Sequence, residues 1–330
     1  MKKSPEVAHL ESSYGAEIPQ SFKLTPPESI AVLDKLLNNK RSQHTRRAYR
    51  TDITDFFYST TGQPPTSDLV LEFLHLEQEQ AVSLLLDYKA SMIARGLREA
   101  TVNRRLSAMK ALATMGRKLG VCRYTLEEVE REKNKQYRDT TGISVAQVKK
   151  VLEQCDRSTP KGKRDYALLR LLWDNALRRG EICQTNLEDF DPHNRTLRIL
   201  GKGRGTDAEL IDLSQLTTAA ILDWLQVRGQ GKSKDPLFIA LDSCHRGNRL
   251  SGEGLRLIVS LWTKKAGITK KMSPHRMRHS AITAALDATG GDVRRVQKLS
   301  RHAKVDTLMI YDDNRQKVQK DITDLLSELV

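Results

Sequence analysis

Four short segments in the second half of the chain carry polar side chains suited to binding and breaking phosphate esters. They are residues 176–182 (ALRRGEI), 201–203 (GKG), 273–280 (SPHRMRHS) and 299–311 (LSRHAKVDTLMIY). Guanidinium groups bind the non-bridging oxygens of a phosphodiester in bidentate fashion and stabilise the negative charge that builds up during attack. A tyrosine hydroxyl is a candidate nucleophile when neighbouring cations favour its ionised form. Together the four segments contain the groups that phosphoryl transfer requires.

Each segment taken singly also has an ordinary structural explanation. Arg178 and Glu181 are three residues apart at the expected end of a buried helix, where an exposed ion pair contributes under about 1 kcal/mol. Lys202 lies between two glycines, as in many turns. The third segment begins with the Ser-Pro pair of a helix start, and such a start with a histidine and an arginine binds phosphate but is also common by chance.

The charge of the whole chain favours a polyanionic partner. The 330 residues include 55 Lys and Arg against 41 Asp and Glu, a formal net charge of +14 at pH 7. A basic balance of this size is typical of nucleic-acid-binding proteins, although a basic surface kept for solubility is the alternative.

Several classes of protein are disfavoured by what the sequence lacks. No run approaches the roughly 20 apolar residues that span a bilayer, and the N-terminus has no apolar signal segment, so we expect a cytoplasmic protein without membrane contact. The four cysteines are scattered without metal-ligand spacing. The segment GKGRGT at 201–206 lacks P-loop spacing, and no acidic cluster of the two-metal type is visible. We therefore expect no metal and no bound cofactor.

The hydrophobic pattern predicts a mainly α fold with a small antiparallel β-sheet. Helical spacing predicts helices over 45–58, 81–95 and 101–119 in the first half, and Gly120 is a typical helix stop. In the second half, Ser144 and Gln147 predict a capping box at a helix start, and alternating residues at 196–200 and 208–213 predict a small hairpin or a sheet edge. The remaining patterns are helical.

Two predicted helices of the first half carry basic faces that are poor in acids. Such a face can follow a phosphate backbone, whereas a solvated face usually mixes both signs. We therefore predict that DNA is contacted by Arg41, Arg46, Arg47, Arg50, Arg98, Arg104, Arg105, Lys110, Arg117 and Lys118.

Composition also suggests the domain boundaries. We expect a loose N-terminal arm at 1–24, a helical domain at 25–125, a charged linker at 126–142 and a second domain at 143–330. The tail at 319–330 predicts a short amphipathic helix.

Taken together and in order, the four segments resemble the signature of the tyrosine recombinase (phage-integrase) family. That signature has an arginine in an R-x-x-E segment, a lysine on a β-turn, H-x-x-R, a further histidine or tryptophan, and a tyrosine about nine residues later. The matching residues are Arg178, Glu181, Lys202, His275, Arg278, His302 and Tyr311. Residues 45–57 and 99–120 are also similar to the family's DNA core-binding domain, so the resemblance spans about 25–315.

The resemblance implies a SAM-like helical core-binding domain and a mixed α/β catalytic domain that close around duplex DNA. It further implies that Arg178 and Arg278 clamp the scissile phosphate, that His302 bonds a non-bridging oxygen, and that Tyr311 forms a 3′-phosphotyrosine. Strands are then rejoined without metal or ATP through a Holliday junction. The alternatives are a type IB topoisomerase-like strand transferase and a catalytically silent DNA-binding accessory protein.

The remaining roles are also implied by the resemblance. Lys202 is the expected general acid, His275 the general base or proton shuttle, and Glu181 the residue that orients Arg178 or His275. Two positions depart from the pattern, because Ala176 and Arg301 stand where the family often has glycine. Neighbouring Arg179, Arg276 and His279 are out of register and are expected at the surface or outside the first layer of the site.

The resemblance favours a Xer-like, integron-type or transposon-type enzyme, because no folded domain is expected before residue 25. It implies a homotetramer on DNA, with accessory DNA-bending proteins as possible partners. The tail at 319–330 is expected to dock on a neighbouring protomer, and docking on its own domain is the alternative.

Overall fold

The computed structural model describes residues 31–133, 142–201, 208–315 and 318–329. The chain divides into two compact units, residues 1–136 and 137–330. The predicted arm at 1–24 and the candidate Lys202 lie outside the described residues, as do residues 134–141 of the predicted linker.

Five helices make up the described part of the first unit. They are α1 (Val32–Asn38), α2 (Gln43–Thr61), α3 (Ser67–Leu74), α4 (Gln78–Ala94) and α5 (Glu99–Lys118). α5 is central, since α1, α2 and α4 all pack on it, and Val102, Leu106, Met109 and Leu112 on its inner face are fully buried. Gly120 follows with a left-handed φ of 75°, which confirms it as a helix stop.

The first part of the predicted linker packs against this helical unit. Leu126 and Val129 are buried in its core. Asn103 of α5 exchanges two hydrogen bonds with the backbone of Glu132, and Lys89 of α4 forms an ion pair with the same glutamate. Two apolar anchors spaced three residues apart therefore extend the first unit beyond 125, despite the high charge of this segment.

The second unit has nine described helices and three strands. In chain order they are α6 (Val145–Glu153), α7 (Pro160–Asp174), α8 (Arg179–Gln184), β1 (Phe190–Asp191), β2 (Thr196–Leu200), β3 (Ala208–Asp212), α9 (Gln215–Arg228), α10 (Gly252–Lys265), α11 (Pro274–Ala288), α12 (Val293–Ser300), α13 (Asp306–Arg315) and α14 (Val318–Glu328). The predicted capping box of Ser144 and Gln147 is present at the start of α6.

The strands form an antiparallel sheet in the order β1-β2-β3. In its register Leu197 faces Ile211 and Leu200 faces Ala208, which confirms the predicted hairpin. The mainly α fold with one small antiparallel sheet is likewise confirmed.

Helix α7 crosses the core of the second unit. Its residues Leu168, Leu169, Leu171 and Leu172 are buried, and α9 and α11 pack against it. Because residues 166–173 of α7 are apolar apart from Arg170, this half of the helix is held by the core on several sides. This fixes its C-terminal end, from which the chain turns into α8.

Candidate active site

Two junctions between helices, together with α11 and α13, bring the candidate catalytic side chains of the second unit together. The turn between α7 and α8 carries Arg178, α11 carries the buried Arg278, and the turn after α12 carries His302. α13 supplies Tyr311, whose side chain is buried beside them. The fold thus gathers groups from widely separated parts of the sequence.

Two residues at these junctions have a left-handed backbone. Ala176 has a φ of 46° and Arg301 a φ of 54°, a region that residues other than glycine rarely adopt. The left-handed Ala176 interrupts the helical path after α7, so Arg178 becomes the N-cap of α8. The expectation that Arg178 and Glu181 end a buried helix is therefore wrong, because they begin a new one.

Glu181 is held between two arginines. Its Oε1 accepts a hydrogen bond from Nη1 of Arg178 at 2.7 Å, and its Oε2 accepts one from the backbone N–H of Arg178 at 2.8 Å. Nη2 of Arg301 donates to the same Oε2 at 3.1 Å. Burial raises the pKa of the Glu181 carboxyl, but Arg301 and Arg178 outweigh burial and hold that pKa below its usual value. The carboxylate is therefore ionised and orients Arg178.

Arg278 is fully buried and is held by backbone carbonyls. It donates to the carbonyl oxygens of Ala176 and Ser300, and its Nη2 lies 3.4 Å from Nε2 of His302. Burial, together with the charges of Arg178 and Arg301, lowers the pKa of the Arg278 guanidinium to about 9. Arg278 remains mainly cationic at neutral pH, in a position shielded from water.

The same environment keeps His302 uncharged. Burial lowers the pKa of its imidazole to about 4, and the charges of Arg278 and Arg178 act in the same direction. A neutral imidazole can donate one hydrogen bond and accept another. His302 therefore fits the binding of an oxygen atom better than it fits a cationic role.

Tyr311 lies in a stack of rings within the same chain. Its ring centroid is 4.9 Å from that of His279 and 5.9 Å from that of His302, and His279 in turn meets His275 edge-to-face at 4.1 Å. Tyr311 is also close enough to Arg278 for its ionised form to raise the pKa of that guanidinium. The candidate nucleophile is thus beside the arginines without help from a second copy of the chain.

A groove of about 640 Å³ opens beside this cluster. It is lined by Glu209 of β3, by Arg301 and His302, and by basic residues of α12. Lys202, in the segment between β2 and β3, is outside the described residues.

The described side chains leave this site with excess positive charge. Arg178, Arg278 and Arg301 bring three guanidiniums, and Glu181 is the carboxylate bonded among them. The side chain of Arg178 is 28% exposed and is the most accessible of the three. An anion with several oxygen acceptors would balance the excess.

The sequence comparison decides the family. A model described as the phage integrase family matches residues 142–317, more than half of the chain. The chain belongs to the phage integrase family. It is 48% identical over 299 residues to tyrosine recombinase slr0733 of Synechocystis sp., covering 91% of this chain and 95% of that one. It is also 44% identical to a tyrosine recombinase of Synechococcus elongatus, with 94% and 97% covered. The protein is a tyrosine recombinase.

Solved structures agree on the fold. XerH bound to its palindromic difH substrate matches with a TM-score of 0.64 at 20% identity, covering 89% of this chain and 84% of that one. A lambda integrase dimer bound to a core site matches with a TM-score of 0.59 at 13% identity, covering 83% and 94%. Both units of the recombinase are therefore included in the likeness.

The structure shows that two further residues of the recombinase lie next to the candidate catalytic residues. His279, expected at the surface or outside the first layer of the site, is buried, and its ring lies against that of Tyr311. Its spacing of four residues from His275 was the available signal, because that spacing puts both rings on one helix face. Arg301 is turned inward onto Glu181, which local sequence could not show because the two residues are far apart in the chain.

Some predicted DNA-binding residues make ion pairs within the first unit. Arg104 binds the buried Asp52 at 2.5 Å, and Arg105 binds Asp55. Lys110 pairs with Glu127 at 3.2 Å. The acids come from α2 and from the segment after α5, so a count of acids along α5 alone did not include them.

Other predicted DNA contacts are exposed on the helical unit. Five of them make no ion pair with a described residue: Arg41, Arg47, Arg98, Arg117 and Lys118. Arg50 lies 3.8 Å from Asp34 in an exposed pair, and the half-buried Arg46 donates to the backbone of Lys40. The exposed five are the best placed of the predicted set to contact a phosphate backbone.

Two further observations complete the survey. Within the described ranges, no group of three or more His, Cys, Asp or Glu side chains is arranged to hold a metal ion. None of the described helices combines the length and apolar character needed to cross a bilayer.

His302 gives a pH prediction for the DNA-free recombinase. Its ring faces Arg278 from α11, Arg178 from the start of α8, and Arg301, His275 and Tyr311. We expect its protonation midpoint near pH 4 by NMR, against about 6.5 for an ordinary histidine. Between these values the unfolded chain binds the proton and the folded chain does not, so stability falls as pH drops from about 6.5 towards 4.

The matched control is His302→Gln, which cannot titrate. Urea denaturation at pH 7 and pH 4.5 should show a smaller loss of stability in this variant than in the unmodified recombinase. A midpoint near 6.5, or equal losses in the two proteins, contradicts the prediction.

Proposed function

We propose that this tyrosine recombinase cuts and rejoins duplex DNA at specific sites through a 3′-phosphotyrosine intermediate and a Holliday junction. Support comes from Tyr311, which is buried in the same unit as the two arginines and the histidine that match the family signature. Since its substrate is DNA, we place the enzyme in the cytoplasm.

The first step is binding of the scissile phosphate. Arg178 and Arg278 supply hydrogen bonds to its non-bridging oxygens, and the neutral His302 supplies another. The phosphate replaces water in a site whose guanidiniums are already oriented by Glu181 and by backbone carbonyls. Little reorganisation is then needed as negative charge develops on the phosphate oxygens.

The second step exchanges one phosphate ester for another. Oη of Tyr311 attacks phosphorus, the bond from phosphorus to the 5′ oxygen breaks, and the 3′ end of the DNA remains linked to the tyrosine. His275 accepts the phenol proton, and Lys202 donates a proton to the leaving 5′ oxygen. The phosphotyrosine bond retains the energy of the original ester. The reverse attack by a 5′ hydroxyl therefore rejoins a strand without ATP or a metal ion.

Exposed basic residues of the helical unit provide the affinity for DNA in this proposal. Arg41, Arg47, Arg98, Arg117 and Lys118 neutralise phosphates, which makes binding sensitive to salt. Arg104, Arg105 and Lys110 belong to the proposed surface only if DNA draws them from their present carboxylate partners. These phosphate contacts position the DNA, whereas the target sequence is selected by other contacts, to the bases.

Tyr311→Phe tests the nucleophile. On a nicked suicide duplex, whose cut end diffuses away, the unmodified recombinase should accumulate a covalent protein–DNA adduct visible on a denaturing gel. The variant should form none while binding the duplex with similar affinity, because only the hydroxyl is removed. Tyr166→Phe, in a half-buried tyrosine elsewhere in the same unit, is the matched control and should form the adduct.

The outcomes separate the alternatives. Adduct formation by Tyr311→Phe would show that Tyr311 is not the nucleophile. DNA binding without any adduct in the unmodified protein would favour a catalytically silent accessory protein. Relaxation of supercoiled DNA that lacks a recombination site, without strand exchange, would favour the topoisomerase-like alternative.

Lys202→Ala tests the general acid. We expect cleavage to slow by about 10²–10⁴-fold, since the 5′ oxygen leaves poorly without a proton. A substrate with sulfur at the 5′ bridging position should restore most of the rate, because a thiolate leaves without protonation. The control Lys298→Ala, at an exposed lysine of α12, should respond equally to both substrates. Equal slowing of Lys202→Ala on the two substrates would rule Lys202 out as the acid.

The tail helix supports assembly of several copies. Leu325, Leu326 and Leu329 of the α14 region are largely exposed, and Ile322 has no described side chain. A short helix of this kind does not remain folded by itself, so an apolar partner surface is needed. We propose that α14 docks on a neighbouring protomer in a tetramer on DNA.

Changing Leu325, Leu326 and Leu329 to serine tests trans docking. We expect pairing of two recombination sites to fall at least tenfold in a gel-shift assay, while binding to a single site changes less than about threefold. Leu216→Ser, at an exposed leucine of α9, is the control. Equal loss of both activities would indicate that the tail docks on its own domain.

A further inference from the structure

Arg301 combines two unfavourable features at one position. Its backbone is left-handed at the end of α12, which costs a non-glycine residue about 1 kcal/mol. Its side chain is only 6% exposed, so a guanidinium has also been taken out of water. Glycine would avoid both costs, so stability alone does not explain an arginine here.

The Arg301 guanidinium joins the two junctions that form the active site. Its Nη1 donates to the carbonyl of Leu299 at 2.8 Å and to that of Asn175 at 3.2 Å. Its Nη2 donates to Glu181 at 3.1 Å. The turn after α12 and the turn between α7 and α8 are thereby connected through one side chain.

Arg301 also orients Arg178, in two ways. Through its side chain it holds Oε2 of Glu181, whose Oε1 binds Nη1 of Arg178. Through its backbone it offers a carbonyl oxygen to Nη2 of Arg178 at 3.2 Å. Both terminal nitrogens of Arg178 are thus oriented by Arg301, directly or through Glu181.

We propose that Arg301 is a positioning residue, which holds the Glu181 carboxylate so that Arg178 is aimed at the scissile phosphate. The inference rests on the proposed function. The guanidinium of Arg301 is turned towards Glu181 and three backbone carbonyls, so it acts through Arg178 and does not itself clamp the phosphate. A displacement of about 1 Å in such a group can cost about 100-fold in rate.

A double-mutant cycle tests the route through Glu181. We measure the cleavage rate at saturating nicked DNA for Arg301→Met, Glu181→Gln and the double variant. Arg301→Met should slow cleavage by at least tenfold, and the double variant should be no slower than the slower single variant, because both changes release the same group. Rate losses that multiply in the double variant, or no loss in Arg301→Met, would overturn the proposal.

Two controls separate positioning from general damage. Arg246→Met removes an exposed guanidinium of the same unit that does not line the groove, and it should leave the rate at saturating DNA within about threefold. Arg301→Gly also removes the backbone strain, so it should fold at least as stably as Arg301→Met and cleave as slowly. Recovery of the full rate by Arg301→Gly would show that only strain matters and would overturn the proposal.

A third measurement needs no DNA and is independent of the proposed function. The charge of Arg301 opposes protonation of His302, which also faces Arg278, Arg178, His275 and Tyr311. In Arg301→Met the NMR midpoint of His302 should rise, whereas in Arg246→Met it should stay. If the unmodified protein forms no adduct, the proposed function fails, but this shift still reports whether Arg301 occupies the site. An unchanged midpoint in Arg301→Met would overturn the placement of its charge and the inference built on it.

Discussion

One buried carboxylate permits three guanidiniums to share a small space. Without Glu181, the arginines at 178, 278 and 301 would repel one another in surroundings that water screens poorly. Backbone carbonyls at the C-terminal ends of helices, where the helix dipole is negative, add further compensation around Arg278. The compensation is incomplete, and the remaining positive charge suits the site to an anion with several oxygen acceptors.

The parts of the fold that sequence predicted are those governed by local rules. Gly120 ends α5 because glycine adopts the left-handed backbone without strain, and the capping box of Ser144 and Gln147 satisfies helix N–H groups within one turn. The hairpin of β2 and β3 follows from alternation over five residues on each side. The order and types of the signature residues sufficed in the same way to suggest the family.

What sequence did not predict depends on contacts between distant segments. Arg105 looked available for DNA because α5 is poor in acids, yet Asp55 reaches it from α2. Arg178 was predicted at the end of a helix because nothing in the local sequence indicates a left-handed backbone at Ala176. The inward turn of Arg301 depends on Glu181, which is separated from it by most of the catalytic unit.

The ring contacts of Tyr311 have a consequence for the proposed strand cleavage. Since the Tyr311 ring already lies near His279 and His302 of its own chain, the proposed nucleophile and the proposed phosphate-binding residues belong to the same copy. α13 is held in place by its packing against α11 and α12. A contact that displaced α13 would therefore withdraw the proposed nucleophile of that copy without touching the arginines.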